Sequence, residues 1–418
     1  MSAAALPNES LRFRVVSNGT GRQALWPAHK AIPSGWQEVL SASSREECLE
    51  WVRRQGCGPR QASFPSRRQS LKFGLLFFGC DEGDGAADKY EFVIEAARYA
   101  EASGFSAVWL PERHFTAMGS LYPNPAVLHA ALARETRRLR LRAGSVVLPL
   151  HDPLRVAEEW AVVDNLSHGR VELSFAPGWN AEDFVLHPDR YARRYEVMYE
   201  SIRVVEQLWA GQTIEAIDGG GQKVRIRTYP TPVQKRLIKW VTAAGSPRSF
   251  QQAGAIGANV LTHLFDQGVE ELAEKIALYR RTRAEHGWDP DAGQVAVTLH
   301  TFLADDWDEV RRHAYHPYCD YLKKNLKLLE KLAQSRDIPI ALDRLKPAQL
   351  DEAVQWLFEK LLRHRSFIGT PDDCVELSNR LVDIGVQEIA CLLDFGPEPK
   401  AILASLPRLR RLMELAQK

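Results

Sequence analysis

At 418 residues the chain exceeds the roughly 100–200 of a single ordinary domain, so it holds one large α/β barrel with an appendage or two domains. With 45% hydrophobic and 26% charged residues it can bury a full core, which excludes a disordered chain, and 54 Lys and Arg against 53 Asp and Glu leave a net charge of +1, which argues against nucleic-acid binding as its main role. No apolar run reaches the roughly 18 residues of a membrane span and the opening MSAAALPNES lacks the layout of a secretion signal, so a cytoplasmic protein without a membrane partner is expected.

The first elements are small. FRVVS (13–17), QALWP (23–27) and IPSGWQEVL (32–40) alternate or cluster apolar residues as three strands do. Ser44 then reads as an N-cap, with Glu46 and Glu47 in the first turn and Cys48, Leu49, Trp51 and Val52 along one side of a short helix. Residues 1–56 thus predict a small α+β module, a three-stranded antiparallel sheet plus helix, too small for a robust core unless it binds something. The stretch RRQGCGPRQASFPSRRQS follows, rich in Arg, Gly, Pro, Ser and Gln, and its residues 57–69 predict a linker.

From residue 70 to 418 strand and helix signals alternate. LKFGLLFFG, FSAVWLPE, LRLRAGSVVLPL, RVELSFAPG, LIKWVTAAG, NVLTHLF, QVAVTLHTFLA and QEIACLLDFG are eight near-continuous apolar runs, as expected of strands buried on both faces. Helical patterns such as YEFVIEAARYAEASG, PLRVAEEWAVVDNLS and YEVMYESIRVVEQLWAG lie between them, and no G-x-G-x-x-G follows the first strand. These features predict a (β/α)8 TIM barrel rather than a doubly wound sheet. Residues 303–365, charged and helical between the seventh and eighth strands, are in excess of that plan; an active-site lid and a solvated helical face are both open readings.

Six cysteines without a C-x-x-C pair and twelve histidines without an H-E-x-x-H pattern predict reduced packing thiols and no metal site. A barrel enzyme carries its reactive groups at the C-terminal ends of its strands. Polar residues follow the predicted strands there: Glu112, Arg113 and His114; Gly144 and Ser145; Pro177 to Asn180; Gly245 and Ser246; Thr262 and His263. For any one of them a turn residue or, for His263, a satisfied core histidine is the competing reading. Ser246 and Ser249 in AAGSPRSF open a helix whose N–H groups and hydroxyls could hold a phosphate. GTPDDC opens another, but its acidic residues predict a plain capping box at Thr370.

From about Leu71 to Leu415 the segments LKFGLLFF, WLPERHFTAMG, NPAVLHAALA, LRAGSVVLPLHDPLRVAEEWAVVDNLSHGRVELSFAPGW, TAAGSP and IGTPDDC resemble the bacterial luciferase-like, flavin-dependent monooxygenases, in particular those associated with nonribosomal peptide and polyketide assembly lines. The resemblance implies a luciferase-type barrel that binds reduced FMN delivered by a separate flavin reductase, forms a flavin C4a-(hydro)peroxide with O2 and inserts one oxygen atom into an organic substrate. It also implies a homodimer. Carried over by position, Gly144 and Ser145 match a non-proline cis peptide beneath the flavin ring, Ala176 a small residue at its reactive edge, Ser246 and Ser249 the phosphate segment and Glu158 a carboxylate of the flavin shell; the strand-end residues Gly245 and His263 are expected to join them in holding the cofactor. Luciferase has two adjacent histidines where this chain has Arg113 and His114; the catalytic one corresponds to Arg113, so the acid/base role passes to His114, and Arg113 becomes an oxyanion or carboxylate clamp. Pro177 stands where luciferase has a phosphate-binding arginine, so that Arg113 or another cation takes up that contact.

The amino-terminal FRVVSNGTGRQALWPAHKAIPSGWQEVLSASSREECLEWV resembles the MbtH-like proteins, small partners of the adenylation domains of nonribosomal peptide synthetases. Trp26 and Trp36 match the tryptophan pair that grips the adenylation domain, while Ala24 replaces the family's serine before the first tryptophan. The resemblance implies recruitment to an adenylation or carrier domain. Two other functions stay open: a deazaflavin-dependent oxidoreductase on the same barrel, and a non-catalytic partner of an adenylation domain.

Overall fold

The computed structural model describes residues 12–18, 23–28, 31–32, 35–44, 47–48, 50–51, 70–79, 89–116, 119–324, 345–359 and 363–417. The chain divides into two compact units, residues 1–67 and 68–418. The predicted linker at 57–69, Cys57 and Cys80 lie outside the described residues.

In the first unit, β1 (Phe13–Asn18) lies between β2 (Gln23–Pro27) and β3 (Trp36–Ser43), antiparallel to both. A register shift between Val15 and Val16 accompanies the burial of both consecutive valines. Ser44 forms the expected reciprocal cap: the Glu47 amide donates to Ser44 Oγ and the Ser44 amide to Glu47 Oε2, each at 3.2 Å. The helix that follows buries Cys48, whose thiol donates to the Phe13 carbonyl.

The second unit is a closed parallel barrel. Its eight strands run β4 (Lys72–Leu76), β5 (Ala107–Leu110), β6 (Arg140–Val147), β7 (Val171–Ala176), β10 (Lys239–Thr242), β11 (Asn259–His263), β12 (Val295–Leu303) and β14 (Glu388–Leu392), which pairs back onto β4. All eight correspond to the apolar runs read from the sequence. Two elements escaped that reading: the hairpin of β8 (Ile214–Ile217) and β9 (Lys223–Ile226), and β13 (Phe367–Gly369), which pairs in parallel with the end of β12. The hairpin was legible, since I-E-A-I and K-V-R-I alternate about a D-G-G-G turn whose Asp218 carboxylate accepts from the Gly220 and Gln222 amides.

The helices between strands cover the outer face. They include α1 (Glu91–Ser103), α2 (Pro125–Glu135), α3 (Pro153–Ser167), α4 (Arg194–Trp209), α5 (Pro247–Ala255) and α6 (Val269–Glu285). α1 buries Val93, Ala96, Ala97 and Ala100 and stops at Gly104, whose φ of 81° favours glycine. The 303–365 region contributes α7 (His316–Lys324) and α8 (Pro347–Leu357); residues 325–344 lie outside the described set. It is more than a solvated face: Tyr318, Cys319, Leu322, Val354, Leu357 and Phe358 bury against Phe302, Ile368 and Phe395. Thr370 and Asp373 form the expected capping box at the start of α9 (Pro371–Asp383), and α10 (Pro399–Leu415) ends the unit.

Inside the barrel, Leu76, Ala107, Trp109, Trp240, Leu261, Ala296, Ala390 and Leu392 pack into one cluster. Among them is a polar plug. Arg142 donates to Glu172 Oε2 (2.8 Å) and Glu388 Oε1 (2.6 Å), with its guanidinium 4.8 Å from the ring centres of both Trp109 and Trp240. The two indole N–H groups donate to the same carboxylates, and Arg140 donates to Glu172 Oε1. Gly74 makes room for this layer, since a Cβ there would stand 2.9 Å from Glu388 Oε1. Cys48, Cys319, Cys374 and Cys391 are buried thiols outside any disulfide. Among the described residues no helix is long and apolar enough to cross a membrane, and no cluster of three or more His, Cys, Asp or Glu could hold a metal.

Candidate active site

Alternation carries the inward face from that plug to the C-terminal mouth of the barrel. Two residues beyond Leu76, Trp240, Leu261 and Leu392 stand Phe78, Thr242, His263 and Asp394; four beyond Ala296 stands His300, and β7 ends on Ala176. Between Gly144 and Ser145 the peptide is cis, and the β6–β7 register shifts between Gly144 and Val146. A Cβ on Gly144 would lie 3.1 Å from the Trp109 ring, so the floor of the mouth comes as close to the plug as a backbone allows. Ser145 Oγ and Ser174 Oγ both meet Thr242 Oγ1, the latter at 2.9 Å, so the floor carries a chain of three hydroxyls.

At one side of the mouth the loops after β5 and β6 converge on Glu112. Its carboxylate accepts from His114 Nε2 (2.9 Å), His151 Nε2 and the Val147 amide (2.7 Å). Burial opposes its charge, but the hydrogen bonds from His114 and His151 hold its carboxyl below the usual carboxylate range. His151 is the counterpart: burial disfavours its cation, yet the Glu112 carboxylate raises its pKa above the ordinary imidazole value. Glu112 stood in the sequence reading only as a polar residue past a strand, and His151 was missed although it follows β6 directly in LPLHDP.

Arg113 is buried beside this group. Its Nη1 donates to Asp183 Oδ2 (3.2 Å) and its Nη2 to Thr116 Oγ1, and its guanidinium lies 4.8 Å from the centre of the Trp179 ring, while Nε has no partner. Asp183 is itself steadied by Asn180 Nδ2 at 2.8 Å. β5, which leads to Arg113, is separated from β10, which precedes Ser246, by β6 and β7.

At the start of α5, Ser246 is the exposed N-cap and makes no side-chain cap bond, and Ser249 follows one turn on. Gly245 is bordered by Asp266 and by Lys275, a buried cation that donates to Gln267 Oε1 and Glu271 Oε1, both at 2.8 Å. Sequence reasoning did not find Lys275, because it is brought here from the middle of α6. Glu158 is not gathered into the mouth: it lies in the second turn of α3, substantially exposed, 3.7 Å from Arg155, and the carboxylate of that helix that acts on His151 is Glu159.

Across the mouth from β6, His263 and His300 stand on adjacent strands. His263 Nδ1 is buried, 3.5 Å from Asp266 Oδ1, a spacing too long for a hydrogen bond. Asp394 closes the ring, accepting from the Phe78 amide and from Tyr122 Oη (2.9 Å); burial pushes its carboxyl up to about 6, against these hydrogen bonds. His300, Asp394 and the aromatic residues of α7 were also absent from the sequence reading. In runs buried on both faces the inward and outward positions look alike.

Comparison with known proteins agrees with this architecture. Residues 71–388 match the family model described as luciferase-like monooxygenase, and residues 3–60 match that of MbtH-like protein. The oxygenase component of flavin-dependent trigonelline monooxygenase from Acinetobacter baylyi is 26% identical over 326 residues, covering 77% of this chain and 88% of its own. Limonene 1,2-monooxygenase from Rhodococcus erythropolis is 26% identical over 291 residues, covering 69% and 70%. In fold, the chain resembles the oxygenating constituent of 3,6-diketocamphane monooxygenase from Pseudomonas putida, a type II Baeyer–Villiger monooxygenase solved in complex with FMN, with a TM-score of 0.65 at 19% identity over 83% of this chain and 97% of that one.

Proposed function

The chain belongs to the luciferase-like monooxygenase family, and from that premise we propose that its barrel uses reduced FMN and O2 to oxidise an amino acid or carrier-bound intermediate of nonribosomal peptide assembly, to which its MbtH-like module recruits it. The observation that carries this reading is the ring of buried, unpartnered polar atoms at the mouth: Arg113 Nε, His263 Nδ1 and His300 Nε2. They stand among Phe78, Phe265 and Phe395, with a backbone floor at Gly144. A flat heteroaromatic ring with nitrogen and oxygen along its edges suits such walls, and the residues fit FMN in this respect. Gly245, Ser246, Ser249 and Lys275 would face its phosphate, combining a helix N-terminus with a buried ammonium.

When bound, reduced FMN supplies the two electrons and two protons with which one atom of O2 leaves as water while the other enters the substrate, and a separate reductase restores it. The chain's own residues manage protons and water. Glu112 takes the His114 Nε2 proton in a hydrogen bond and so leaves Nδ1 as the basic nitrogen, which makes His114 the acid/base group. His151, whose pKa the Glu112 carboxylate raises, donates its Nε2–H to that buried carboxylate. Arg113, poor as a base, offers its Nε–H to an oxyanion or carboxylate of the substrate. The apolar face of α7 over the β12–β14 side keeps water from the reacting atoms.

The test is anaerobic titration of the full chain with reduced FMN and, in parallel, a reduced deazaflavin, followed by oxygenated buffer and aminoacyl-loaded carrier proteins. Tight binding of reduced FMN and a product heavier by one oxygen atom are expected. Selective binding of the deazaflavin would replace oxygenation by hydride transfer, and binding of neither would leave the adenylation-domain partner reading in its place. For the module, Trp26→Ala and Trp36→Ala are expected to weaken capture of an adenylation domain and to leave FMN affinity unchanged.

A further inference from the structure

His300 is not used by the Glu112 array, which stands three strands away around the barrel, yet it is among the most constrained side chains at the mouth. Its Nδ1 lies 3.1 Å from Tyr318 Oη on α7. With the Tyr318 hydroxyl as donor and that nitrogen as acceptor, the ring proton sits on Nε2. Nε2 is buried and has no partner. The imidazole cannot turn to find one: the rings of Tyr318 (4.6 Å between centroids), Phe395 (5.3 Å), Tyr321 (5.9 Å) and Phe265 (6.3 Å) surround it. Burial, then the nearby His263, pushes its pKa down to about 3, so at neutral pH it offers a hydrogen bond rather than a transferable proton.

Resting on the flavin reading of the mouth, we propose that His300 donates its Nε2–H to an acceptor atom on the edge of the bound flavin ring, and that Tyr318, from the 303–365 insertion, is the positioning residue that sets this tautomer. A buried donor without a protein partner is completed by what the site binds. The insertion therefore does more than exclude water: it selects which imidazole nitrogen faces the cofactor.

The test uses the full chain with 15N-labelled histidine and oxidised FMN as the probe. In the flavin-free protein, the signal lost in His300→Gln is expected to report the Nε2–H tautomer and to move when FMN is added. His300→Leu is expected to weaken FMN binding, read by flavin fluorescence, about tenfold. His300→Gln, which keeps an N–H donor on a similar reach, recovers most of that loss and separates the donor from any change in folding. Tyr318→Phe is expected to shift the His300 signal toward a tautomer mixture, an effect that a merely structural role would not produce. An Nδ1–H signal in the wild type overturns the proposal, as does FMN binding that leaves the His300 signal in place and His300→Leu at wild-type affinity. A wild-type chain that binds no FMN overturns the reading of the mouth together with this one; a wild type that binds FMN with His300 unmoved overturns this one alone.

Discussion

Two buried polar layers lie a few residues apart along the same strands, and they differ in what is left unpaired. In the lower layer Arg142 is held by two carboxylates and two indole rings, and apart from Glu388 Oε2 its carboxylate oxygens all accept hydrogen bonds. At the mouth, Arg113, His263 and His300 each keep a buried nitrogen without a partner. Burial of charge is common to both, so burial alone does not mark a site. What marks the mouth is the convergence of several such unpartnered atoms in one place, because an unpaired buried polar atom is costly unless a ligand completes it.

The sharpest break of this contrast is Arg142→Met, which leaves Glu172 and Glu388 buried without their shared cation. It is expected to cost about 3–5 kcal/mol in urea unfolding. Asp394 gives a smaller effect with a definite sign. Its carboxyl lies near 6 in the folded chain against an ordinary 3.8, so its contribution to stability is present below about pH 4 and is lost as pH rises through about 6. The stability of wild type relative to Asp394→Asn should therefore fall by about 2–3 kcal/mol between pH 4 and pH 7 in denaturant titrations. Gly144→Ala brings a methyl against the Trp109 ring and should cost about 1–3 kcal/mol, with weaker FMN binding in flavin fluorescence because floor and plug meet there. Glu112→Gln should be mildest in stability and clearest in titration. With the carboxylate gone, burial of His151 is largely unopposed, and its pKa in a histidine NMR titration should fall from above the ordinary imidazole value to below it.

Legibility followed the range of the interaction. The barrel strands were readable because each is buried on both faces and so forms a continuous apolar run: all five residues of β14 and all four of β5 are buried. That same continuity hid which residues face inward, so His300 within VAVTLHTFL and Asp394 past EIACL passed unnoticed, while His114 and Ser145 were singled out first as polar residues at strand ends and then by the family resemblance. Glu158, whose role was carried over by position, stands half-exposed on α3, 3.7 Å from Arg155.

The sequence by itself determined the alternation of strands and helices, their caps at Ser44 and Thr370, the two-unit composition and the family, because these depend on neighbours within a few turns or on long stretches of matched residues. Only the tertiary structure decided the site. Glu112 meets His151 across 39 positions, Arg142 meets Glu388 across 246, and Asp394 receives the Phe78 amide across 316. Those meetings depend on the closing of the last strand onto the first and on strand register, which no local pattern encodes.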